Sequence, residues 1–158
     1  MKLKRTHQTS DEEGCYQIVL RLRRAATLEV GSLGSLPLAP GYYVYTGSAM
    51  RPWTIEKRLR HHRKRRKANR VWHIDHLTSD PRFEIVREIA RPSKNREECR
   101  INRATERMRG ASVPVKNFGN TDDRKGPRRQ RCKAHLVYFR HRPIGLPAEA
   151  SAPGSIRR

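Results

Sequence analysis

The segment from Gly41 to Leu77 constrains the fold more than any other part of the chain. It opens with GYYVYTGSA, a tyrosine-rich stretch that contains few strongly helix-favouring residues. Aromatic and β-branched residues favour strands, so this stretch predicts a strand over Tyr42–Thr46, ended by Gly47 and Ser48. The chain must therefore build a sheet around this strand.

A strongly basic stretch follows, with ten Lys or Arg residues and one Glu between residues 51 and 70. Pro52 suits the first turn of a helix, and the pattern predicts a helix from there to about Lys67. Ile55 and Leu59 form its narrow apolar stripe. Charged residues cover most of the remaining helix surface. This amount of charge exceeds what solubility requires.

The rest of the chain alternates between strand and helix patterns, with strands that follow one another closely. Tyr16–Leu22 predicts a strand with its even-numbered residues on the buried face and Gln17 outside. The remaining elements are strands over Thr27–Val30, Phe83–Ile89 and His135–Phe139, and helices over Trp72–Leu77 and from Ser93 or Asn95 to Arg109. These elements predict an α/β fold with a small, mainly antiparallel central sheet flanked by helices.

The chain of 158 residues has the length of one domain. Residues 1–12 are polar and predicted to be flexible, and residues 13–142 form the domain. Residues 143–158, rich in Pro, Ala and Ser, are predicted to be a disordered tail.

The formal net charge is +21. Such charge opposes compaction, and a polyanion would relieve it, so we expect DNA or another nucleic acid as the partner. The basic stretches lack a wide apolar face, and no stretch approaches the ~20 apolar residues of a membrane span, so no membrane contact is expected. Three widely separated cysteines predict no disulfide framework and favour a reducing cytoplasm.

Arg58 and His62 lie four residues apart on the basic helix and therefore share a face. A guanidinium can bind phosphate through two hydrogen bonds, and an imidazole can transfer a proton near neutral pH. On spacing alone, an ordinary basic surface is the simpler interpretation of both residues.

Glu98 shares a predicted helix face with Ile101, Asn102 and Thr105. One carboxylate beside bound phosphate suits Mg²⁺. If Asn95 caps the helix, however, Glu98 completes a capping box instead. The pattern leaves both interpretations open.

Cys132-x-x-His135, together with His73 or Cys99, is a weak zinc pattern because it lacks a second close pair. His73 and Asp75, on either side of Ile74, are expected to pack or cap locally.

The residues resemble the GIY-YIG nuclease superfamily. Gly14-Cys15-Tyr16 and Tyr45-Thr46-Gly47 match its two tripeptides, although Cys15 and Thr46 replace the isoleucines. The chain is most similar to an uncharacterised branch that is sometimes fused to endonuclease III-type proteins. The shared pieces occur in the expected order between about residues 14 and 140: GYYVYTGSA, RLRHHRK, WHIDHL, Glu98-Cys99, FGNTDD and HLVYF.

The resemblance implies a function for individual side chains. Tyr16 and Tyr45 match the tyrosines that position or deprotonate water, and His62 matches the residue that assists them. Arg58 matches the arginine that binds the scissile phosphate and, beside Tyr16, is expected to lower its pKa. Glu98 matches the single metal-binding glutamate, with Glu97 as the alternative.

The implied function is a Mg²⁺- or Mn²⁺-dependent endonuclease acting on DNA or structured nucleic acid, with a role in DNA repair. A non-catalytic basic nucleic-acid-binding protein is the alternative. The expected nucleic-acid contacts are Gly47, Ser48, Lys57, Arg60, Arg63, Lys64, Arg65, Arg66, Lys67, Arg128 and Arg129.

Overall fold

The computed structural model describes residues 4–5, 12–70, 72–119, 132 and 134–149. The strands are β1 (Lys4–Arg5), β2 (Gly14–Leu22), β3 (Ala26–Glu29), β4 (Ser35–Leu38), β5 (Gly41–Ala49), β6 (Phe83–Pro92), β7 (Ala111–Ser112) and β8 (Leu136–Phe139). The α-helices within these ranges are α1 (Ile55–Arg63), α2 (His73–Thr78) and α3 (Glu98–Glu106).

The main sheet has the strand order β1-β6-β2-β5-β8-β7. The short β1 pairs parallel with β6, and the other neighbours are antiparallel. Strands β3 and β4 form a separate hairpin. The predicted α/β class with a mainly antiparallel central sheet is confirmed, and β2 lies at its centre.

Helices cover both faces of the sheet. Tyr16 and the other even-numbered residues of β2 pack with Leu59 of α1 and Ile74 of α2, while Val19 packs with Ile101 of α3 on the opposite face. Gln17, predicted to lie outside, is fully buried because this second face is also covered. Its amide donates to the hydroxyls of Thr46 and Thr105.

The strand that opens the basic segment is longer than predicted. Gly47 pairs with Tyr16 and Ser48 with Cys15, so the expected break after Thr46 is wrong. Pairing with the long central strand β2 satisfies the backbone of these residues and overrides their weak strand propensity.

The basic helix is shorter than predicted at both ends. It begins at Ile55, with the Thr54 hydroxyl accepting a hydrogen bond from the Lys57 backbone as N-cap, and ends at Arg63. Pro52 lies outside it. The residues beyond Arg63 have no further buried stripe to hold them against the sheet.

Helix α3 also begins later than predicted. Glu97 is its N-cap residue and Glu98 its first helical residue, so Asn95 forms no capping box with Glu98. The predicted face of Glu98, Ile101, Asn102 and Thr105 is nevertheless the buried face of the helix.

The predicted disordered tail is ordered over residues 143–149. Leu146 and Ala148 are buried in the same cluster as Ile101 of α3. The Ala148 backbone donates a hydrogen bond to the Gln17 side chain. Leu146 and Ala148 cover part of this face of the sheet. The Pro, Ala and Ser content of the segment did not indicate this packing. Residues 150–158 lie outside the described residues, as do residues 1–3 and 6–11 of the predicted flexible N-terminus.

Helix α1 is tied to the sheet by an ion-pair cluster. The Arg63 guanidinium donates to Glu88 on β6 at 2.7 Å and to Glu56 at 3.0 Å. Glu88 is buried. Within the described ranges, no helix is long and apolar enough to cross a membrane.

We expect Arg63→Met to lower the free energy of unfolding by about 3 kcal/mol, because it removes the guanidinium that pairs with the buried Glu88 carboxylate. Urea denaturation measures this value. The exposed Arg60→Met is the matched control and should change stability by less than about 0.5 kcal/mol. Adding Glu88→Leu to Arg63→Met should restore most of the loss; a single-variant loss no larger than that of Arg60→Met contradicts the assignment.

Candidate active site

A buried hydrogen bond joins the first predicted tripeptide to the basic helix. The Tyr16 hydroxyl on β2 lies 2.7 Å from Nε2 of His62 on α1. Both side chains are almost completely buried. The His62 Nδ1 atom has no hydrogen-bond partner among the described residues.

Gly47 makes this contact possible. It pairs with Tyr16 across the β2–β5 ladder, and a Cβ at this position would lie 2.5 Å from Cζ of Tyr16. Any side chain here would therefore displace the tyrosine ring. The second tripeptide requires glycine for close packing against the first.

Tyr45 completes a cluster of three rings. Its centroid lies 6.4 Å from that of Tyr16 and 6.0 Å from that of His62. Phe118 packs against Tyr45 from the far side, at 6.5 Å. Gly119 follows with φ +74°, and a Cβ there would lie 3.2 Å from the Tyr45 ring.

The Arg58 guanidinium contacts two tryptophans that sequence reasoning missed as site residues. Its central carbon is 4.7 Å from the Trp53 ring centroid and 4.1 Å from that of Trp72. The Arg58 Nε atom is buried and has no hydrogen-bond partner within the described part of the chain. Two tryptophans flanking a basic helix are the sequence signal that would have identified this stacking.

Local contacts hold the helix and its neighbour in place. His61 Nε2 lies 2.9 Å from the buried Asp75 Oδ1 atom, and Asp75 Oδ2 accepts from the Trp72 backbone at the start of α2. His73 Nδ1 accepts from the Gly119 backbone. The expected local capping and packing by His73 and Asp75 is confirmed.

Burial dominates the proton affinities in this site. It raises the pKa of Tyr16 well above its ordinary value, and the Tyr45 and Glu98 charges add to this, while Arg58 opposes it. Arg58 lowers the pKa of Tyr16, as expected, but burial outweighs this effect. Burial, aided by nearby cationic groups, lowers the pKa of His62 to about 3, so His62 is neutral at physiological pH.

Glu98 belongs to α3, whereas Arg58 and His62 belong to α1. Helix α3 lies on the opposite face of the sheet from α1, and Ile101 of α3 packs in the same cluster as Cys15 of β2. The Glu98 charge acts on both Cys15 and Tyr16. Tyr16, Tyr45 and His62 thus form one contact cluster, Arg58 flanks it, and Glu98 acts on it electrostatically.

The two adjacent glutamates have different surroundings. Glu97 is held by Arg91 at 3.1 Å and Arg100 at 2.5 Å. Glu98 is buried, and its ion-pair contact is the exposed Arg96 at 4.0 Å. Glu98, rather than the alternative Glu97, therefore has the carboxylate that can accept a cation.

The residues expected to contact nucleic acid differ in their solvent exposure. Those on exposed positions of the basic segment are Lys57, Arg60, Lys64, Arg65 and Arg66, and Ser48 is half-buried. Arg65 also donates to the backbone carbonyls of Asp80 and Phe83.

Three of the expected contacts are used inside the molecule. Gly47 lies beneath the Tyr16 ring, Arg63 is paired with Glu88, and the Lys67 ammonium donates to the Thr78 hydroxyl. These residues have structural contacts within the protein, and their contact with nucleic acid remains a prediction. Arg128 and Arg129 lie outside the described residues.

The pairing of the cysteines differs from the prediction. Cys99 on α3 and Cys132 before β8 form a disulfide, so the prediction of no disulfide is wrong for this pair. Folding brings together residues 33 positions apart, which spacing alone did not reveal. Cys15 is free and buried, and burial raises its pKa to about 12.

The fold and the site define an α/β domain with a buried tyrosine–histidine pair, a stacked arginine and a glutamate contributed by a separate helix. The family described as "Domain of unknown function DUF123" matches residues 15–151, and the chain belongs to this family. No curated protein and no solved structure matches the chain.

We expect Gly47→Ala to destabilise the protein by about 1–3 kcal/mol, because the added methyl group overlaps the Tyr16 ring. Thermal and urea unfolding measure the change. The neighbouring Ser48→Ala, at a half-buried position, should stay within about 0.5 kcal/mol; equal stability of the two variants contradicts the packing described.

His62 should make stability depend on pH. Its pKa is about 3 in the folded protein and about 6.5 when unfolded. The unfolded state therefore binds the extra proton, and stability falls as pH decreases from 6.5 towards 3, by up to ~1.4 kcal/mol per pH unit.

His62→Gln should remove this contribution and give a shallower pH dependence in urea unfolding. The exposed His141→Gln should retain the wild-type slope. Identical slopes for wild type and His62→Gln would show that His62 is not buried in its neutral form.

Proposed function

We propose that the protein is a divalent-metal-dependent endonuclease that hydrolyses phosphodiester bonds in DNA or structured nucleic acid, in a cytoplasmic repair role. The observation that carries the proposal is the buried Tyr16–His62 hydrogen bond beside the Arg58 guanidinium. It joins a proton-transfer pair to a phosphate-binding group. Similarity to the GIY-YIG pattern supports the same assignment.

The Tyr16–His62 pair suits removal of a proton from water. Neutral His62 can accept the Tyr16 hydroxyl proton at Nε2 while Tyr16 accepts one from an attacking water. Tyr16 thereby relays the proton and never has to remain ionised, which its raised pKa opposes. The negative charge of a bound phosphodiester would favour the resulting imidazolium.

Arg58 suits the phosphate itself. Its guanidinium lies over the rings of Trp53 and Trp72, and cation–π contacts of this kind position the group. A guanidinium also donates several hydrogen bonds from its N–H groups. Phosphate oxygens accept such bonds in pairs. Donors held in advance against developing negative charge contribute roughly 10²–10³-fold in rate.

Glu98 has the chemistry to hold the metal ion. It is a buried carboxylate whose ion-pair contact among the described residues is Arg96 at 4.0 Å, and Mg²⁺ commonly takes one or two protein carboxylates together with phosphate and water oxygens. Mg²⁺ or Mn²⁺ bound there would supply Lewis-acid stabilisation of the scissile phosphate. The exposed residues Lys57, Arg60 and Lys64 would bind the flanking backbone.

Nicking of supercoiled plasmid and of branched DNA with Mg²⁺ tests the proposal. We expect Glu98→Gln and Arg58→Met each to slow cleavage by at least about 100-fold. Glu84→Gln on β6 and the exposed Arg107→Met are the matched controls and should cleave at the wild-type rate.

Equal rates in wild type and both site variants would refute the site. A wild-type protein that binds DNA in a salt-sensitive manner without cleaving it would instead identify a non-catalytic binding protein.

A further inference from the structure

We propose that, in its reduced form, the protein binds Zn²⁺ through Cys99, Cys132 and His135, at a site separate from Glu98. The two sulfurs and a ring nitrogen of His135 lie within 4.8 Å of one another. Cys99 is half-buried, and the other two residues are almost fully buried. In the structure the two cysteines form a disulfide.

The spacing of the donors fits a tetrahedral zinc site. Zn–S bonds of about 2.3 Å and Zn–N bonds of about 2.0–2.1 Å place neighbouring ligand atoms roughly 3.5–3.8 Å apart. The His135 Nε2 atom already lies 3.8 Å from the Cys99 sulfur. Reduction of the disulfide would release the two sulfurs to reach the same separation.

The donor set selects the metal. Two thiolates and one imidazole are ligands that Zn²⁺ prefers, whereas Mg²⁺ takes oxygen ligands. A disulfide alone gives no reason to bury an imidazole against its sulfur. The described residues supply three ligands, which leaves the fourth position to water or an added ligand.

The backbone around His135 is held on both sides. Its N–H donates to the Phe118 carbonyl at 2.7 Å, and its carbonyl accepts from Thr46 at 3.0 Å. The Asn102 amide on α3 donates to the Ala134 carbonyl at 2.6 Å. These contacts fix α3 and the residues before β8 independently of the cysteines, so the ligands stay close together after reduction.

The site would join α3 to the central sheet. Cys99 follows Glu98 directly, so a metal held by Cys99 and His135 would fix the start of α3 relative to β8. Zinc binding would convert two thiols to thiolates and release two protons. In a reducing cytoplasm the pair would remain as thiols.

Titration of the full chain with Co²⁺ tests the proposal, because tetrahedral cobalt–thiolate centres absorb strongly in the near-ultraviolet and visible range. An added phosphine cleaves the S–S bond to two thiols and is itself oxidised to the phosphine oxide by oxygen taken from water. We expect the reduced chain to bind about one Co²⁺ with thiolate bands, and Zn²⁺ to displace it. The oxidised chain should give no such bands.

Loss of one ligand should weaken binding by more than the roughly 10–100-fold that loss of an outer partner costs. Cys99→Ser, Cys132→Ser and His135→Gln should each show this loss, and Cys15→Ala, at the buried free cysteine, should bind as the wild type does. Circular dichroism checks the fold of every variant.

Absence of thiolate bands from the reduced wild type would refute the site, and this result depends on no variant. Unchanged affinity in a folded His135→Gln protein would refute the assignment of His135. Neither measurement depends on DNA cleavage, so the zinc site and the proposed nuclease activity can fail separately.

Discussion

The hydrogen bond between Tyr16 and His62 is the contact on which the rest of the arrangement depends. It joins the central strand β2 to helix α1, and both side chains are almost completely buried. Two polar groups buried together are stabilised only while both remain paired, so the position of α1 is fixed by this bond as well as by apolar packing. The absence of a side chain at Gly47 allows the tyrosine to lie flat against the neighbouring strand. Strand β5 carries Tyr45 and helix α1 carries Arg58, so the positions of these two elements place both side chains at the site.

The acidic residues of this highly basic chain are used in two ways. Glu88 and Glu56 pair with Arg63, Asp75 contacts His61, and Glu97 pairs with Arg91 and Arg100. The Arg63–Glu88 pair joins α1 to β6, and the Arg91–Glu97 pair joins β6 to the start of α3. Glu98 is different, because it is buried and its ion-pair contact within the described part of the chain is the distant Arg96. A buried carboxylate without close compensation is costly in stability, and such a cost is typical of a group retained for binding or catalysis.

Periodicity predicted the sheet and its flanking helices because the even-numbered residues of β2 and the buried face of α3 follow their local patterns closely. It failed where tertiary contacts override local preference. Gly47 and Ser48 remain in a strand because β2 pairs with them, and Gln17 is buried because α3 and residues 143–149 cover the second face. In the site, Arg58 and His62 were suggested by spacing. The contacts of Arg58 with Trp53 and Trp72 had a sequence signal in the tryptophans that flank the basic helix. The Cys99–Cys132 disulfide joins residues 33 positions apart, and no local pattern specifies it.

The most direct test of the central claim is ¹⁵N NMR of the histidine rings, with His62→Gln used to assign the His62 signals. At pH ~6 the His62 ring should be neutral. Its signals should shift when a DNA duplex is added with Ca²⁺, which would hold the phosphodiester beside Arg58 without cleavage. A His62 ring that titrates near its ordinary pKa of ~6.5, with signals unchanged by the duplex, would contradict both the buried pair and its place in a phosphodiester site.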